Sequence, residues 1–210
     1  MAKKGIRYAV FGILNEQTNT YTGGTYLSPV AAFNGTPNNS NVKDYGDDRC
    51  VEVANETVGG TLSVELNNDD LEIGAMLLGH TLTDGEMVYS TNDVAPYVGV
   101  GAIGKSGSKW RAKFYKKVMF AEPNDENSTK QESTTFGHLT IEGDIVPLED
   151  GSWKKEKEFD DLAAAKAYLN GLVGITTSGS TTGGSTTGGS TTGGSTTGGS
   201  TTGGSTTGGN

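Results

Sequence analysis

Thr61-Leu62-Ser63-Val64-Glu65-Leu66 alternates without a fault. Leu62, Val64 and Leu66 face one way, and Thr61, Ser63 and Glu65 the other, which is the pattern of a strand with one buried face. Asn67-Asn68-Asp69-Asp70 follows, and the period then changes across Leu71-Glu72-Ile73-Gly74-Ala75-Met76-Leu77-Leu78-Gly79. An Asn or Asp caps a helix start by accepting a backbone amide, and an acidic residue suits the first turn. Gly79 suits the stop. The expected element is a helix of about ten residues. It should pack on a sheet through Leu71, Ala75 and Leu78.

Outward from this block the chain reads as mainly β. Ile6–Leu14 is rich in β-formers, and Thr25-Tyr26-Leu27 runs to a strand end at Ser28-Pro29 after the polar stretch Asn15–Gly24. Residues 34–49 read as a long polar loop, and loops of that length are commonly functional. Two β-segments are expected near Glu86–Ser90 and Pro96–Gly101. Trp110, Ala112 and Phe114 then alternate with Lys109, Arg111 and Lys113, in a strand that continues through Val118-Met119-Phe120. A polar loop, 122–133, precedes a strand at Thr135–Ile145. Asp150-Gly151 signals a hairpin turn with Trp153–Phe159 as the return strand. Asp160 is placed to cap a second helix, Asp161–Asn170, stopped by Gly171. The expected fold is an antiparallel β-sandwich or half-barrel with one or two short helices.

Composition shifts abruptly after Ile175. Thr176-Thr177-Ser178-Gly179-Ser180 opens a pentapeptide array of Thr-Thr-Gly-Gly-Ser that closes at Asn210. It has no charge, aromatic or apolar side chain and cannot bury a core. As a flexible coil it would span about 30–35 Å root-mean-square. Two origins stay open, a linker and a natural repeat expansion. The folded domain is therefore expected over residues 1–175, with 176–210 as a low-complexity tail.

The 16 Lys and Arg against 25 Asp and Glu leave a net charge of −9. A protein that grips nucleic acid by counterion release needs a basic footprint, which this balance opposes. A single cysteine, Cys50, excludes an intramolecular disulfide and reads as an inert, partly buried thiol. No stretch is long and apolar enough to suggest a membrane helix, and the start, Met1–Val10, is too short in apolar residues for a secretory segment.

No catalytic constellation stands out, and no cofactor or enzyme activity is expected. His80, after the first helix, suits its dipole, and His138 lies on a different element. Gly99, Gly101 and Gly104 fit Gly-x-Gly-x-x-Gly, but a loop and a strand follow where a dinucleotide site needs a helix. Asp47-Asp48, Asp69-Asp70 and Asp160-Asp161 read as caps and solvated turns more than as calcium ligands. Asn55-Glu56-Thr57 matches a glycosylation acceptor without a secretory context. The basic row Lys109, Arg111 and Lys113, with Lys116 and Lys117, has two readings. One is an edge strand guarded by charge. The other is a patch that meets acidic residues of a neighbouring copy, with Asp47 and Asp48 as candidate partners, suited to head-to-tail association.

Three blocks carry a resemblance. They are Glu65–Ile73 with Leu77-Leu78-Gly79-His80; Asn92-Asp93-Val94-Ala95-Pro96-Tyr97-Val98-Gly99-Val100-Gly101; and Phe136–Gly143 with Ile145-Val146-Pro147 and Asp150-Gly151-Ser152-Trp153-Lys154. In this order and spacing the chain resembles the major tail proteins of siphophages of Gram-positive hosts, over roughly residues 1–172. The resemblance implies a virion structural protein, assembled in the host cytoplasm into stacked homohexameric rings. In such tubes each subunit lends strands to a closed inner barrel, and loops and termini bridge the rings. For this chain the 34–49 loop, the 122–133 loop and the N-terminus are the candidates. The implied partners are further copies of itself and the tape measure, distal tail and tail terminator proteins. DNA would pass through the lumen without specific binding. The competing readings are a cell-surface or secreted β-sandwich binding module with a Thr/Gly/Ser linker, and a small β-rich enzyme.

Overall fold

A computed structural model describes residues 3–27, 29–46, 49–68, 70–124 and 139–176, with the side chains of 3, 4, 42 and 44–54 outside the description. Met1–Thr177 forms one compact unit. The fold is mainly β, antiparallel throughout, with two short helices. The strands are β1 (Lys3–Asn15), β2 (Thr20–Tyr26), β3 (Val30–Gly46), β4 (Arg49–Leu66), β5 (Thr81–Thr83), β6 (Glu86–Val88), β7 (Val98–Ser106), β8 (Lys109–Phe120), β9 (Leu139–Ile145) and β10 (Lys154–Phe159). The helices are α1 (Leu71–Leu78) and α2 (Leu162–Val173).

Eight strands make one sheet in the order β2-β1-β7-β8-β9-β4-β3, with β10 paired to β8, while β5 and β6 form a separate hairpin. β1 and β3 stand far apart in that order. Yet Gly5 and Ile6 of β1 and Ala31–Asn34 of β3 line one cleft. The sheet therefore curls on itself, as a half-barrel does.

Both faces of the sheet are buried, against different helices. The first core lies inside the curl. It joins Phe11, Leu62, Val64, Val98, Val100, Tyr115, Val118, Phe120 and Ile141 to Ile73, Leu77 and Leu78 of α1. The second lies behind β1, β7 and β8, where Val10, Ile103, Ala112 and Phe114 meet Ala165, Leu169 and Val173 of α2. β7 is buried on both faces through Val98–Ile103. Val98, Val100 and Ala102 fill the first core, while Gly99 and Gly101 admit the Tyr21 and Phe114 rings and Leu169 from the second. The Gly-x-Gly-x-x-Gly spacing is thus a packing feature of a central antiparallel strand.

α1 begins and ends as its sequence implies. The Asp70 side chain accepts from the Glu72 amide, and Gly79 caps the far end in the left-handed region at φ 79°. Its buried residues are Ile73, Ala75, Leu77 and Leu78, whereas Leu71, expected on that face, is 42% exposed. Neither helix is long and apolar enough to cross a membrane.

Several expectations need correction. Asn15–Gly24 is not wholly irregular, because Thr20 onward is β2, paired with β1. α2 runs through Gly171 to Val173 and stops at Gly174, at φ 77°, because Leu169, Asn170 and Val173 are buried under the sheet and hold the last turn. Its cap is Asp161, not Asp160. The turn at Asp150-Gly151 forms, but β10 does not return along β9; it pairs with β8 from Lys154↔Tyr115 to Phe159↔Trp110. β9 takes the remainder of that edge, Val118–Phe120. β8 is consequently an interior strand, and the edge-strand reading of its basic row is overturned. Of the expected 34–49 loop, every described residue is strand: Asn34–Gly46 belongs to β3 and Arg49 opens β4. Asp47, Asp48, Asp69, His138, residues 125–133 of the second polar loop and the repeat from Thr177 lie outside the described residues, as does the side chain of Cys50.

Candidate assembly surface

β8 pairs with β10 so that Arg111 stands opposite Glu158, and Lys113 opposite Glu156. Arg111 donates to Glu158 Oε1 through Nε at 3.1 Å and Nη2 at 2.6 Å, and its Nη1 lies 3.9 Å from Glu156. Partial burial opposes ionisation of Glu156, but Lys154, Lys113 and Arg111 together hold its carboxyl below the usual range. Lys109 lies 3.7 Å from Asp160. Opposite charges directly across a strand pair stabilise that register. The basic row thus has its acidic partners within the chain, supplied by the strand that returns to it.

Lys116 and Lys117 break the alternation because the strand does. Val98 pairs with Val118 but Val100 with Tyr115, so β8 carries an extra residue there. A bulge of this kind turns the following side chains to the other face. Before it Ala112 and Phe114 point to α2; after it Val118 and Phe120 point into the curl. Lys116 reaches Ser152 and lies 3.8 Å from Asp150, whose carboxyl the Ser152 hydroxyl and amide hold below its usual range. Lys117 pairs with Glu16 at 2.5 Å and lies over the Tyr97 ring at 4.0 Å. The Tyr21 hydroxyl donates to the Lys116 carbonyl at 2.8 Å, and burial pushes its pKa up to about 12.

These pairs are partly exposed, so each contributes little. Arg111→Ala is expected to lower the unfolding free energy by about 0.2–1 kcal/mol, with the loss shrinking as salt rises. Urea titrations at low and high salt check this. A loss that salt leaves unchanged would assign the effect to packing of the arginine stem.

Among the described residues, the surface with no counterpart is the far half of β3 and β4. β9 covers β4 only from Gly60 to Leu66. Beyond Gly59 the two strands pair, among the described residues, only with each other, from Asn39↔Thr57 to Gly46↔Arg49. They leave the sheet as a two-stranded ribbon of roughly 26 Å, the length of Asn39–Gly46 at about 3.3 Å per residue. At its root Asn38 pairs with Gly59 and Asn39 with Thr57, so Val58 is the extra residue of a bulge and is 54% exposed. Thr57 donates across the ribbon to Asn39 Oδ1 at 2.9 Å. The side chains of residues 37–41, 43, 55 and 56 are all exposed. An isolated two-stranded ribbon is marginal in water, and its outer edges present unpaired backbone groups.

Asp47 and Asp48, the candidate partners of the basic row, lie outside the described residues. Sequence reasoning missed Glu156 and Glu158 as partners of the row, since they lie on a strand whose neighbour it misassigned. The cleft between β1 and β3, of about 320 Å³, has Ala32, Phe33, Ala102 and Gly104 in its walls and Arg111 and Lys113 among its lining. No protein-family model matches the chain, and no curated protein matches it.

Proposed function

We propose that this chain is a structural subunit that assembles with copies of itself, in the manner of the stacked-ring tail tubes built by the family its sequence resembles. The observation that carries the reading is the β3–β4 ribbon. Asn39–Gly46 of β3 and Arg49–Thr57 of β4 extend past the sheet and, among the described residues, have only one another as strand partners, an arrangement that becomes stable when a second surface covers it. The sheet supports the same reading, since its order ends in two edge strands, β2 and β3. Joining such edges between copies removes the aggregation hazard they carry alone. The net charge of −9 suits a lumen through which DNA passes without being held. Because the basic row of β8 is matched by Glu156 and Glu158, shape and backbone pairing carry the association in this proposal, more than charge does.

The test compares the intact chain with a variant in which residues 39–57 are replaced by Asn-Gly, a two-residue hairpin turn. Sedimentation velocity and negative-stain electron microscopy across a concentration series supply the readout. The intact chain is expected to form rings or hollow tubes as concentration rises. The shortened chain should keep its melting temperature and remain monomeric. Equal association by both chains would remove the ribbon from the proposal, and an intact chain that stays monomeric throughout would return weight to the binding-module reading.

A further inference from the structure

His80 follows the Gly79 cap of α1, and its side chain is 7% exposed. Its two ring nitrogens each meet a carboxylate. Nδ1 lies 2.8 Å from Asp93 Oδ2, and Nε2 lies 2.8 Å from Glu122 Oε2. An ionised carboxylate only accepts, so both contacts are hydrogen bonds only when both nitrogens carry protons. A neutral imidazole has one N–H and would set the lone pair of its other nitrogen against a carboxylate at bonding distance. The two carboxylates bind different nitrogens of one ring and do not converge on a point, so the cluster is not built to hold a metal ion.

The ring ties together three segments distant in sequence: the end of α1, the 90–97 segment and the residues after β8. Among the described residues, the titratable groups that face it are Asp93, Glu122 and Tyr89, whose ring centroid lies 4.5 Å away. Asp84 and Glu86 belong to the opposite end of the β5–β6 hairpin, three residues along the ladder. The C-terminal end of α1, beside the ring, also favours a cation there.

The two carboxylates are held differently. Asp93 Oδ2 also accepts from the Ser90 amide at 2.9 Å, and the Asp93 amide donates to the Ser90 carbonyl at 3.0 Å. Asp93 is 17% exposed. Glu122 is 53% exposed and can turn into water. We propose that His80 is a proton-operated clasp: as an imidazolium it joins α1 to both Asp93 and Glu122, and on losing the Nε2 proton it keeps Asp93 and releases Glu122 with the Glu122–Asn124 segment, while the Ala121 amide stays bonded to the Glu142 carbonyl. This holds whether or not copies of the chain associate.

The direction of the shifts agrees with the geometry. The Asp93 hydrogen bond, against the cost of burial, and then Glu122 raise His80 above its ordinary 6.5. The His80 and Ser90 bonds lower Asp93 below its ordinary 3.8. The imidazolium therefore contributes fully below pH 6.5, and its contribution disappears as pH rises through the raised value. The Asp93 contribution is present above pH 3.8 and disappears as pH falls through the lowered value. The clasp is closed between these limits and opens at Glu122 on the alkaline side.

Two measurements on the full chain test this. Long-range proton–nitrogen NMR of the His80 ring is expected to show both nitrogens protonated at pH 6. Above the midpoint the remaining proton should sit on Nδ1, and the Glu122 carboxylate carbon should shift at the same midpoint. In melting experiments, Glu122→Gln is expected to lower Tm by about 2–4 °C at pH 6, a shift of the size one such contact gives in a chain this long. It should leave Tm unchanged at pH 9, and have no effect at either pH in a His80→Asn background. A neutral ring at pH 6, a remaining proton on Nε2, or an effect of Glu122→Gln equal at the two pH values would overturn the proposal.

Discussion

Phe114→Ala is expected to cost about 3–5 kcal/mol of folding free energy, at the upper end of the range for a large-to-small change in a core. Phe114 is 1% exposed, and Tyr21 meets its ring edge-on at 5.1 Å and 85°. The cavity left by its removal would lie over Gly99 and Gly101 of β7. Neighbours relax into a cavity by moving side chains, and these two residues have none to move. The rest of the second core hangs from α2, a single helix held by Ala165, Leu169 and Val173. A domain has about 5–15 kcal/mol to lose, so this change should bring the fold close to its limit. Urea unfolding should show a large fall in the midpoint with the slope unchanged. Phe114→Leu, which keeps most of the volume, should cost less than about 1.5 kcal/mol. Equal losses from the two changes would show that the site does not depend on volume.

Gly99→Ala is expected to destabilise the same core from the opposite direction. A Cβ on residue 99 would stand 2.3 Å from Tyr21 Cε1 and 2.6 Å from Phe114 Cζ. Neither ring is free to retreat. Tyr21 is tied through its hydroxyl to the Lys116 carbonyl, and Phe114 is buried against Leu169 and Ala165. Overpacking of this kind costs about 1–3 kcal/mol and sometimes more, and two clashing rings place this case at the upper end. The two substitutions should couple. In a Phe114→Leu background the loss from Gly99→Ala should shrink, because one of the clashing rings is gone. A dinucleotide-binding role for the same glycines predicts a different result, a folded protein of unchanged stability. Thermal unfolding of the single and double variants separates the two.

Both changes act on the sheet that supports the proposed assembly element without touching the element itself. None of the described residues of the ribbon beyond Gly59 belongs to either core, so its removal and damage to the second core should be separable in experiment. Loss of association with the sheet intact belongs to the ribbon; loss of both belongs to the fold.

What could be read from the residues in order was local. The start and stop of α1 are spelled out by Asp70 and Gly79, each acting on amides or carbonyls within four residues. The half-buried end of β4 is written in Leu62, Val64 and Leu66, whose alternation follows from the geometry of an extended backbone. The mainly β class follows from the same signals repeated along the chain. The misreadings fall where the deciding partner is far away. Residues 34–46 show no clean alternation of polar and apolar side chains, and only pairing of β3 with β4 makes them a strand. Gly171 looks like a helix stop until the burial of Asn170 and Val173 carries α2 one turn further.

The sequence by itself therefore determined the mainly β class, where α1 is capped, that the chain is acidic and that its last 35 residues cannot form a core. Tertiary structure alone decided that β10 crosses to β8, that Glu156 and Glu158 thereby match the basic row, that the glycines of β7 receive aromatic rings, and that His80 meets Asp93 and Glu122. The division has a physical cause. Backbone conformation responds to neighbours a few residues away, whereas a charge or a ring responds to whatever strand register and sheet order bring beside it, and those are settled only when the whole sheet closes over its two cores.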